Sequence, residues 1–484
     1  MTLPNIALLI IGAVDLVAAF LFMYGLKRMS SPVTAPSGIH VAGLGMLVAV
    51  IASFLYVLDV GAAARPFLMV NVSLCGLALV LGGGVAWMAG RKVPMTAMPQ
   101  MVALYNGAGG GAAAAIAAAE LLGGKAPGVT ALVVTLVGAM IGCISLSGSL
   151  IAWAKLQEVL KNPLRFAGQF TFNLLILLAT FVIGAFLVYL SQGGSWKVLT
   201  TDDVIYIFFA CALLYGIAMT LPIGGADMPV VISIYNAATG LAVGLEGFVL
   251  ANPALMIAGM VVGAAGTLLT LLMARAMNRS VSNVIFTNFG GSKVKSHGHM
   301  KGSLKPVAAA DAAIFMHYAK SVIIVPGYGL AAAQAQQKLF DFVKQLQSSG
   351  VSVKFAIHPV AGRMPGQMDV LLAEAGVPYD MIVQLDDIND AFATTDVCLV
   401  IGANDVVNPA ARTDKSSPIF GMPILNADRA KHCYCVKRGQ GKGYAGIMNA
   451  LFFEDNTNMV YGDANVVLGE MIEAVKGLGK AAAE

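Results

Sequence analysis

Charged side chains are scarce. Only 12% of the 484 residues are Asp, Glu, Lys or Arg, about half the share found in soluble globular chains. With 58% hydrophobic residues and a mean hydropathy of +0.78, this excludes an ordinary soluble protein and points to a polytopic membrane protein. Cysteine is sparse and scattered: Cys75, Cys143 and Cys211 lie in apolar runs, Cys398 in an expected strand, and Cys433 and Cys435 form an isolated CxC. Paired metal-ligand spacing is missing, so the thiols read as small apolar residues in a reducing compartment, and no metal site is expected. The net charge of +4 is small and dispersed, which argues against a nucleic-acid partner. A basic n-region followed by a cleavage site is also missing, so the first apolar run is expected to be a span and not a signal peptide. Neither a Ser-His-Asp nor a Cys-His arrangement is present, and there is no kinase loop.

What is present is about nine apolar runs of bilayer-crossing length. They fall near Ile6 to Leu26, Ile39 to Leu58, Phe67 to Ala89, Met101 to Leu122, Val129 to Ala152, Gly168 to Leu190, Val204 to Leu221, Val230 to Leu250 and Pro253 to Ala276. Connections after the odd-numbered runs hold Lys27, Arg28, Arg91, Lys92, Lys155, Lys161, Arg165, Arg275 and Arg279, whereas the alternate ones hold only Arg65, Lys125 and Lys197. The positive-inside rule makes the first set cytoplasmic. An odd number of spans then puts the C-terminal region in the cytoplasm.

Small residues such as Gly107 to Ala119 allow close helix packing in lipid. Polar residues inside the runs are more informative, because each is costly in hydrocarbon without a partner or a wet path. They are Asp15, Asn106, Glu120, Ser145, Ser147, Ser149, Asn236, Thr239 and Glu246. Asp15 and Glu246 read equally well as interhelical glue.

The composition divides the chain into a membrane region, 1–277, a polar, Gly-rich and basic linker, 278–312, and a soluble domain, 313–484. The linker holds an HGH pair, His297 and His299, which reads as solvated histidines, since no further ligands lie nearby. In the last region helix and strand patterns alternate. Strands are expected at Ser321 to Val325, Val351 to Ile357, Met381 to Gln384, Val397 to Ile401, Pro423 to Asn426 and Cys433 to Lys437. Helices are expected at Ala313 to Lys320, Ala331 to Ser348, Gly366 to Ala375 and around Ile388 to Ala393. Such βα alternation implies a Rossmann-like, doubly wound parallel sheet with ligands beyond the carboxyl ends of its strands.

The stretch SVIIVPGYGLAAAQAQ, Ser321 to Gln336, organises that domain. A strand of β-branched residues leads into Gly327, Gly329 and Ala332, a GxGxxA turn of the dinucleotide-binding kind. Its glycines would admit a pyrophosphate close to backbone N–H groups at a helix start. In a standard NAD fold the second strand ends on a carboxylate that holds the ribose hydroxyls. Here it ends FAIHP, and Arg363 follows. Lys437 and Arg438, ending a later strand, add cations beside a Gly-rich loop. Cations without the acid favour a 2′-phosphate, hence NADP over NAD.

The motifs GYGLAAAQAQ, HPVAGRMPG, GANDVVNPAA, KRG with GYAG, and GGADMPVVIS from Gly224 to Ser233 together resemble the beta subunit of the proton-translocating NAD(P) transhydrogenases, over essentially the whole chain. The resemblance implies hydride transfer between NADH and NADP+ coupled to proton translocation. NADP(H) would be bound here, and NAD(H) on a separate alpha subunit that carries further membrane helices. It also implies a dimer of such heteromers in a bacterial inner membrane. It places Gly327, Tyr328, Gly329 and Ala332 at the pyrophosphate, with Val360, Ala361, Gly362, Arg363, Met364 and Pro365 lining the same site. Gly402, Ala403, Asn404 and Asp405 would lie by the nicotinamide and the face presented to the alpha subunit, Asp405 in the reacting region. Lys437 and Arg438 would hold the 2′-phosphate, the loop through Tyr444 would cover the nucleotide, and Gly439, Asp463 and Ala464 would also touch it. In this family NADP lies reversed relative to standard dinucleotide folds, so the argument from the second strand reaches the cofactor partly by another route.

In the membrane, the resemblance makes Asp227 a carboxylate near the cytoplasmic ends of the spans, and Asn236 and Ser149 part of the proton path. Asn106 stands where some members carry a histidine. An amide does not titrate near neutral pH, so a relay here needs water held by Asn106 or a histidine from another span, expected on a partner subunit, with His40 a weak candidate that reads more readily as interfacial. A rival reading is an ion transporter or channel whose nucleotide fold only senses redox state; a passive scaffold fits the specific strand-end loops poorly.

Overall fold

The computed structural model describes residues 3–31, 33–59, 67–124, 128–160, 164–194, 199–224, 227–278, 280–286, 303–364, 366–417, 419–439, 441, 443 and 445–481. Arg65, Lys125, Lys161, Lys197, Arg279, His297, His299, Pro365 and Tyr444 lie outside the described residues. The chain divides into two compact units, one of Met1–Ile223 with Val231–Thr270, the other of Gly224–Val230 with Leu271–Glu484.

Among the described residues of the first part, nine helices are long and apolar enough to cross a membrane. They are α1 Leu3–Met29, α2 Ala35–Asp59, α3 Leu68–Lys92, α4 Met98–Leu122, α5 Val129–Leu156, α6 Gln169–Ser191, α7 Thr201–Thr220, α8 Met228–Val249 and α9 Pro253–Ala276. Each expected run lies on one of them.

Small residues decide their packing, as lipid offers no hydrophobic force to drive helices together. On α4 and α5, a Cβ on Gly110 would stand 2.9 Å from the Cβ of Ser145. On α8 and α9, a Cβ on Gly266 would stand 2.7 Å from the backbone N of Ala237, and one on Gly240 would overlap the backbone of Gly263. By contrast α3 buries none of its residues within this chain, so lipid or other chains must cover it.

The start of α7 carries a capping box, in which the Thr200 hydroxyl accepts from the Asp203 N–H and the Asp203 carboxylate accepts from the Thr200 N–H. Its other end is capped from α5: the Lys155 ammonium donates to the carbonyls of Thr220, Leu221 and Ile223 at 2.8, 2.6 and 2.6 Å. A cation among the free carbonyls of a helix C-terminus is favourable. Lys155 is thus a buried structural group and not the loop cation expected from the charge pattern.

The second part runs α10 Val281–Phe286, α11 Ala309–His317, β1 Ser321–Pro326, α12 Tyr328–Ala332, α13 Gln336–Ser348, β2 Ser352–Ile357, α14 Gln367–Glu374, β3 Ile382–Gln384, α15 Leu385–Ile388, β4 Val397–Ile401, α16 Ala410–Thr413, β5 His432–Lys437, β6 Thr457–Tyr461 and α17 Ala464–Ala481. The six strands form one sheet in the order β3-β2-β1-β4-β5-β6, every pairing parallel. Parallel sheets are buried on both faces, and β1 shows it. Val322 and Ile324 enter a core with Leu339, Phe342 and Leu468, while Ile323 and Val325 enter the opposite core with Phe392, Leu425 and Leu451.

Four details differ from expectation. The single helix expected at Ala331 to Ser348 is broken, with Gln334 at φ +50° between α12 and α13. The stretch Pro423 to Asn426 is not a sheet strand. Leu425 N donates to the Val406 carbonyl, and the Asn389 side chain holds both the Ile424 carbonyl and the Asn426 N–H, so its backbone is satisfied by loops. Strand β6 and helix α17 are additions to the elements expected from the sequence. Residues 305–307 of the expected linker run beside β6, where Met459 N donates to the Lys305 carbonyl and Val307 N to the Met459 carbonyl.

Candidate functional site

Strand order reverses between β1 and β4, which opens a crevice at their carboxyl ends. Gly327 and Gly329 leave β1 there, and Gly402 leaves β4. The two turns pack backbone against backbone: Gly327 N donates to the Ile401 carbonyl and Gly329 N to the Gly402 carbonyl, each at 2.9 Å. A Cβ on Gly329 would stand 2.7 Å from the Gly402 Cα, and Gly402 has φ +75°. The glycines are therefore required by the turn-to-turn contact, and their N–H groups are committed to the β4 loop. The expected route, these N–H groups meeting a phosphate at a helix start, does not describe this turn. Ala332 ends α12 exposed, whereas Leu330 and Ala331 are buried.

Around the crevice stand loops from four strands. After β2, Ala361 N donates to the His358 carbonyl, Val360 N to His358 Nδ1 at 3.1 Å, and Arg363 N to Oε1 of buried Gln367 at 2.6 Å. His358 Nε2 meets the Pro423 carbonyl at 2.8 Å. Because Nδ1 accepts, Nε2 carries the proton, and the ring is neutral with both nitrogens satisfied. Burial pushes its pKa down from 6.5 to about 4, opposed by the Pro423 carbonyl and by Asp386. The loop so shaped leaves Val360, Gly362, Arg363 and Met364 half-buried and Ala361 buried, and stacks the Arg363 guanidinium 4.3 Å from the centre of the Tyr328 ring. The β1 and β2 loops thereby meet.

The β4 and β5 loops are tied together as firmly. Asp405 Oδ2 accepts the Ala445 N–H at 2.9 Å. Asn449 Nδ2 donates to the Asn404 carbonyl and side-chain oxygen. Asn408 Oδ1 accepts from Ala410 N and Ala450 N, and its amide donates to the Met448 carbonyl. Sequence reasoning missed Asn408, Asn449, His358 and Gln367 as organisers of these loops; Asn408, His358 and Gln367 stand beside Pro or Gly, which was a signal, whereas Asn449 carries none.

Lys437, at the end of β5, gives its ammonium to the Gly441 carbonyl and places it 4.5 Å from the centre of the Phe452 ring. Burial lowers its pKa, against the fields of Cys435 and Asp405, which raise it. Arg438 is exposed and Gly439 half-buried beside it. Asp463 caps the start of α17, its Oδ1 accepting from Asn465 N at 3.0 Å, with Ala464 buried as the first helical residue.

The membrane residues singled out from sequence form a buried polar chain in part. Asn106 Nδ2 donates to Ser149 Oγ at 3.4 Å, and Thr239 Oγ1 to the Asn106 carbonyl at 3.3 Å. The Ser145 hydroxyl meets Thr239 and the Tyr235 carbonyl, and the Tyr235 hydroxyl meets Thr220. Four helices, α4, α5, α7 and α8, contribute. Among the described residues no hydrogen bond joins Asn236, which is half-buried, to this chain. Asp227 is buried just before α8.

Among the described residues, a six-stranded parallel dinucleotide-type fold and nine membrane-length helices define a membrane protein with a nucleotide-binding domain. The model of the NAD(P) transhydrogenase beta subunit matches residues 11–474. Two proteins of Rhodospirillum rubrum, each called NAD(P) transhydrogenase subunit beta, are 42% identical over 475 residues, covering 96% of this chain and 98% of theirs. The chain belongs to the NAD(P) transhydrogenase beta-subunit family. It is the beta subunit of an oxidoreductase that couples hydride transfer between nicotinamide nucleotides to proton translocation, and it works with an alpha subunit.

Proposed function

We propose that the crevice over β1 and β4 binds NADP(H) and that NAD(H) is held by the alpha subunit. The observation that carries this is the donor set. No carboxylate ends β2, and three cations lie on the carboxyl side of the sheet: Arg363 in the loop after β2, Lys437 at the end of β5 and Arg438 just after it. Such a set fits a dinucleotide bearing an extra phosphate, since Arg and Lys bind phosphate by charge-assisted hydrogen bonds. Bound, the nicotinamide supplies the hydride chemistry. The chain's own part is to orient it: the Tyr328–Arg363 stack and the turn glycines at one end, Gly402 to Asp405 at the reacting end, and the loop 439–446, latched by Asp405, as the cover that excludes water.

The membrane region 1–277 carries protons past Asn106, Ser149, Asn236 and Asp227, and the linker 278–312 transmits its state to the nucleotide domain 313–484. That domain lies on the cytoplasmic side of a bacterial inner membrane, in a dimer of alpha–beta heteromers. Coupling then requires that protonation change the affinities for NADP+ and NADPH unequally. The test is competitive titration of the full chain with its alpha subunit in detergent. NADPH is expected to bind at least ~10-fold tighter than NADH to this subunit, as one charge-assisted phosphate contact implies. Equal affinity would overturn the assignment.

A further inference from the structure

Glu246 is a charged residue that the polar chain of α4, α5, α7 and α8 does not use. It is 0% exposed, and neither of its oxygens has a hydrogen-bond partner among the described residues. It sits near the end of α8 and points at α5, where a Cβ on Gly138 would stand 2.6 Å from its Oε1. Only a glycine leaves room for it there. Among the described residues the charged group whose field reaches it is another carboxylate, Glu120 on α4, and no cation pairs with it. An isolated carboxylate in such a place is costly. Two acids within reach of each other's field and without a cation are a poor structural device, because interhelical glue needs a donor. A proton makes Glu246 neutral, and losing that proton requires a path for it.

Thr239 lies seven residues earlier on the same face of α8, about 10 Å along the helix axis. It closes the hydroxyl chain that runs through Ser145, Asn106 and Ser149. No member of that chain titrates near neutral pH. We propose that Glu246, within the field of Glu120, is a group that takes up and releases the transported proton within the membrane region, passing it to and from the Thr239–Ser145–Asn106 chain. This rests on the reading that the region conducts protons.

The test uses the chain with its alpha subunit in liposomes, following proton movement and hydride transfer together. Glu246→Gln keeps the shape and removes the titrating oxygen, and is expected to slow proton-coupled turnover by at least ~100-fold, the scale of a lost general acid–base group. NADPH affinity of the same preparation is expected to stay unchanged. Glu246→Asp should restore part of the rate, and the carbonyl band of a protonated carboxylic acid in infrared difference spectra should vanish in Glu246→Gln. Full proton movement per hydride in Glu246→Gln, or equal loss in both variants with the infrared band unaltered, would overturn the proposal. Wild-type enzyme that transfers hydride without moving protons would overturn the function proposed above instead.

Discussion

The carboxylate of Asp405, at the end of β4, holds the backbone N–H of Ala445, in the loop that follows β5, at 2.9 Å. The neighbouring Gly443 lies so close that a Cβ there would overlap Asp405 Oδ1. Asp405 is therefore a latch on the loop that carries Tyr444. Asp405→Ala should release it at a cost of roughly 1.5–3 kcal/mol, the value of a hydrogen bond to a charged group. The measurement is amide hydrogen exchange in residues 439–446, which should quicken in Asp405→Ala and less so in Asp405→Asn, which keeps an acceptor oxygen. Unchanged exchange in both would dispose of the latch.

Removing a cation tests the proposed phosphate contact. Lys437→Met and Arg438→Ala are each expected to weaken NADPH binding by ~10- to 100-fold, as for a lost charge-assisted hydrogen bond, and to leave NADH binding as it was. Lys437 gives its ammonium to the Gly441 carbonyl, so Lys437→Met should also loosen that loop without nucleotide. A parallel fall for both nucleotides would mean that neither cation reads the extra phosphate.

The β-branched run at Val322 to Val325 and the GxGxxA string made β1 and its turn legible, because a doubly buried parallel strand must be apolar throughout. The chemistry of that turn was not legible. Gly327 and Gly329 are glycines for the sake of Gly402, 75 and 73 residues further along by their numbering, and spacing alone cannot reveal a contact with a distant loop. Strand β6, Thr457–Tyr461, was missed because a five-residue edge strand with Asn458 and Tyr461 has almost no pattern. Asn408 and Asn449 were passed over, since an Asn organises a loop only through the carbonyls the fold brings to it. Pro423 to Asn426 misled for the opposite reason: its apolar residues face a core, but its backbone groups pair with loops.

Stability of the sheet should depend on pH through His358. Its folded pKa, about 4, lies below the ordinary 6.5, so between those values the unfolded chain binds more protons than the folded one. Stability is then full above pH 6.5, falls as the pH drops toward 4, and levels off below. The total is roughly 3 kcal/mol, since each pH unit between the two values is worth about 1.4 kcal/mol. Hydrogen exchange of β1 and β4 amides in the full chain, corrected for the intrinsic pH dependence, measures it. In His358→Gln the slope over that window should shrink. A slope equal to wild type would assign the effect to other groups.

Gly402 offers a test of the turn contact. With φ +75° and a Cβ position that overlaps Leu330 N, Gly402→Ala should destabilise the nucleotide domain by roughly 2–4 kcal/mol, the sum of left-handed strain and overpacking. Gly439→Ala, where nothing lies within 4 Å of the added Cβ, should be near neutral. Thermal unfolding of the two variants side by side in the same detergent reads the difference, and similar midpoints would show that the β1 and β4 turns yield.

In the membrane the equivalent contact is between α8 and α9. A Cβ on Gly266 would stand 2.7 Å from Ala237 N, and one on Gly247 would stand 2.5 Å from Met256 N. The interface is thus backbone against backbone at both ends, on the helix whose Glu246 points toward Gly138. Gly266→Leu should force the helices apart, costing about 1–3 kcal/mol by overpacking. Because α8 then turns away from α5, proton-coupled turnover should fall more than NADPH affinity does. Gly43→Leu on α2, which has open space around its Cβ position, is the control. If both substitutions alter coupling equally, the α8–α9 contact has no special part in placing the carboxylate.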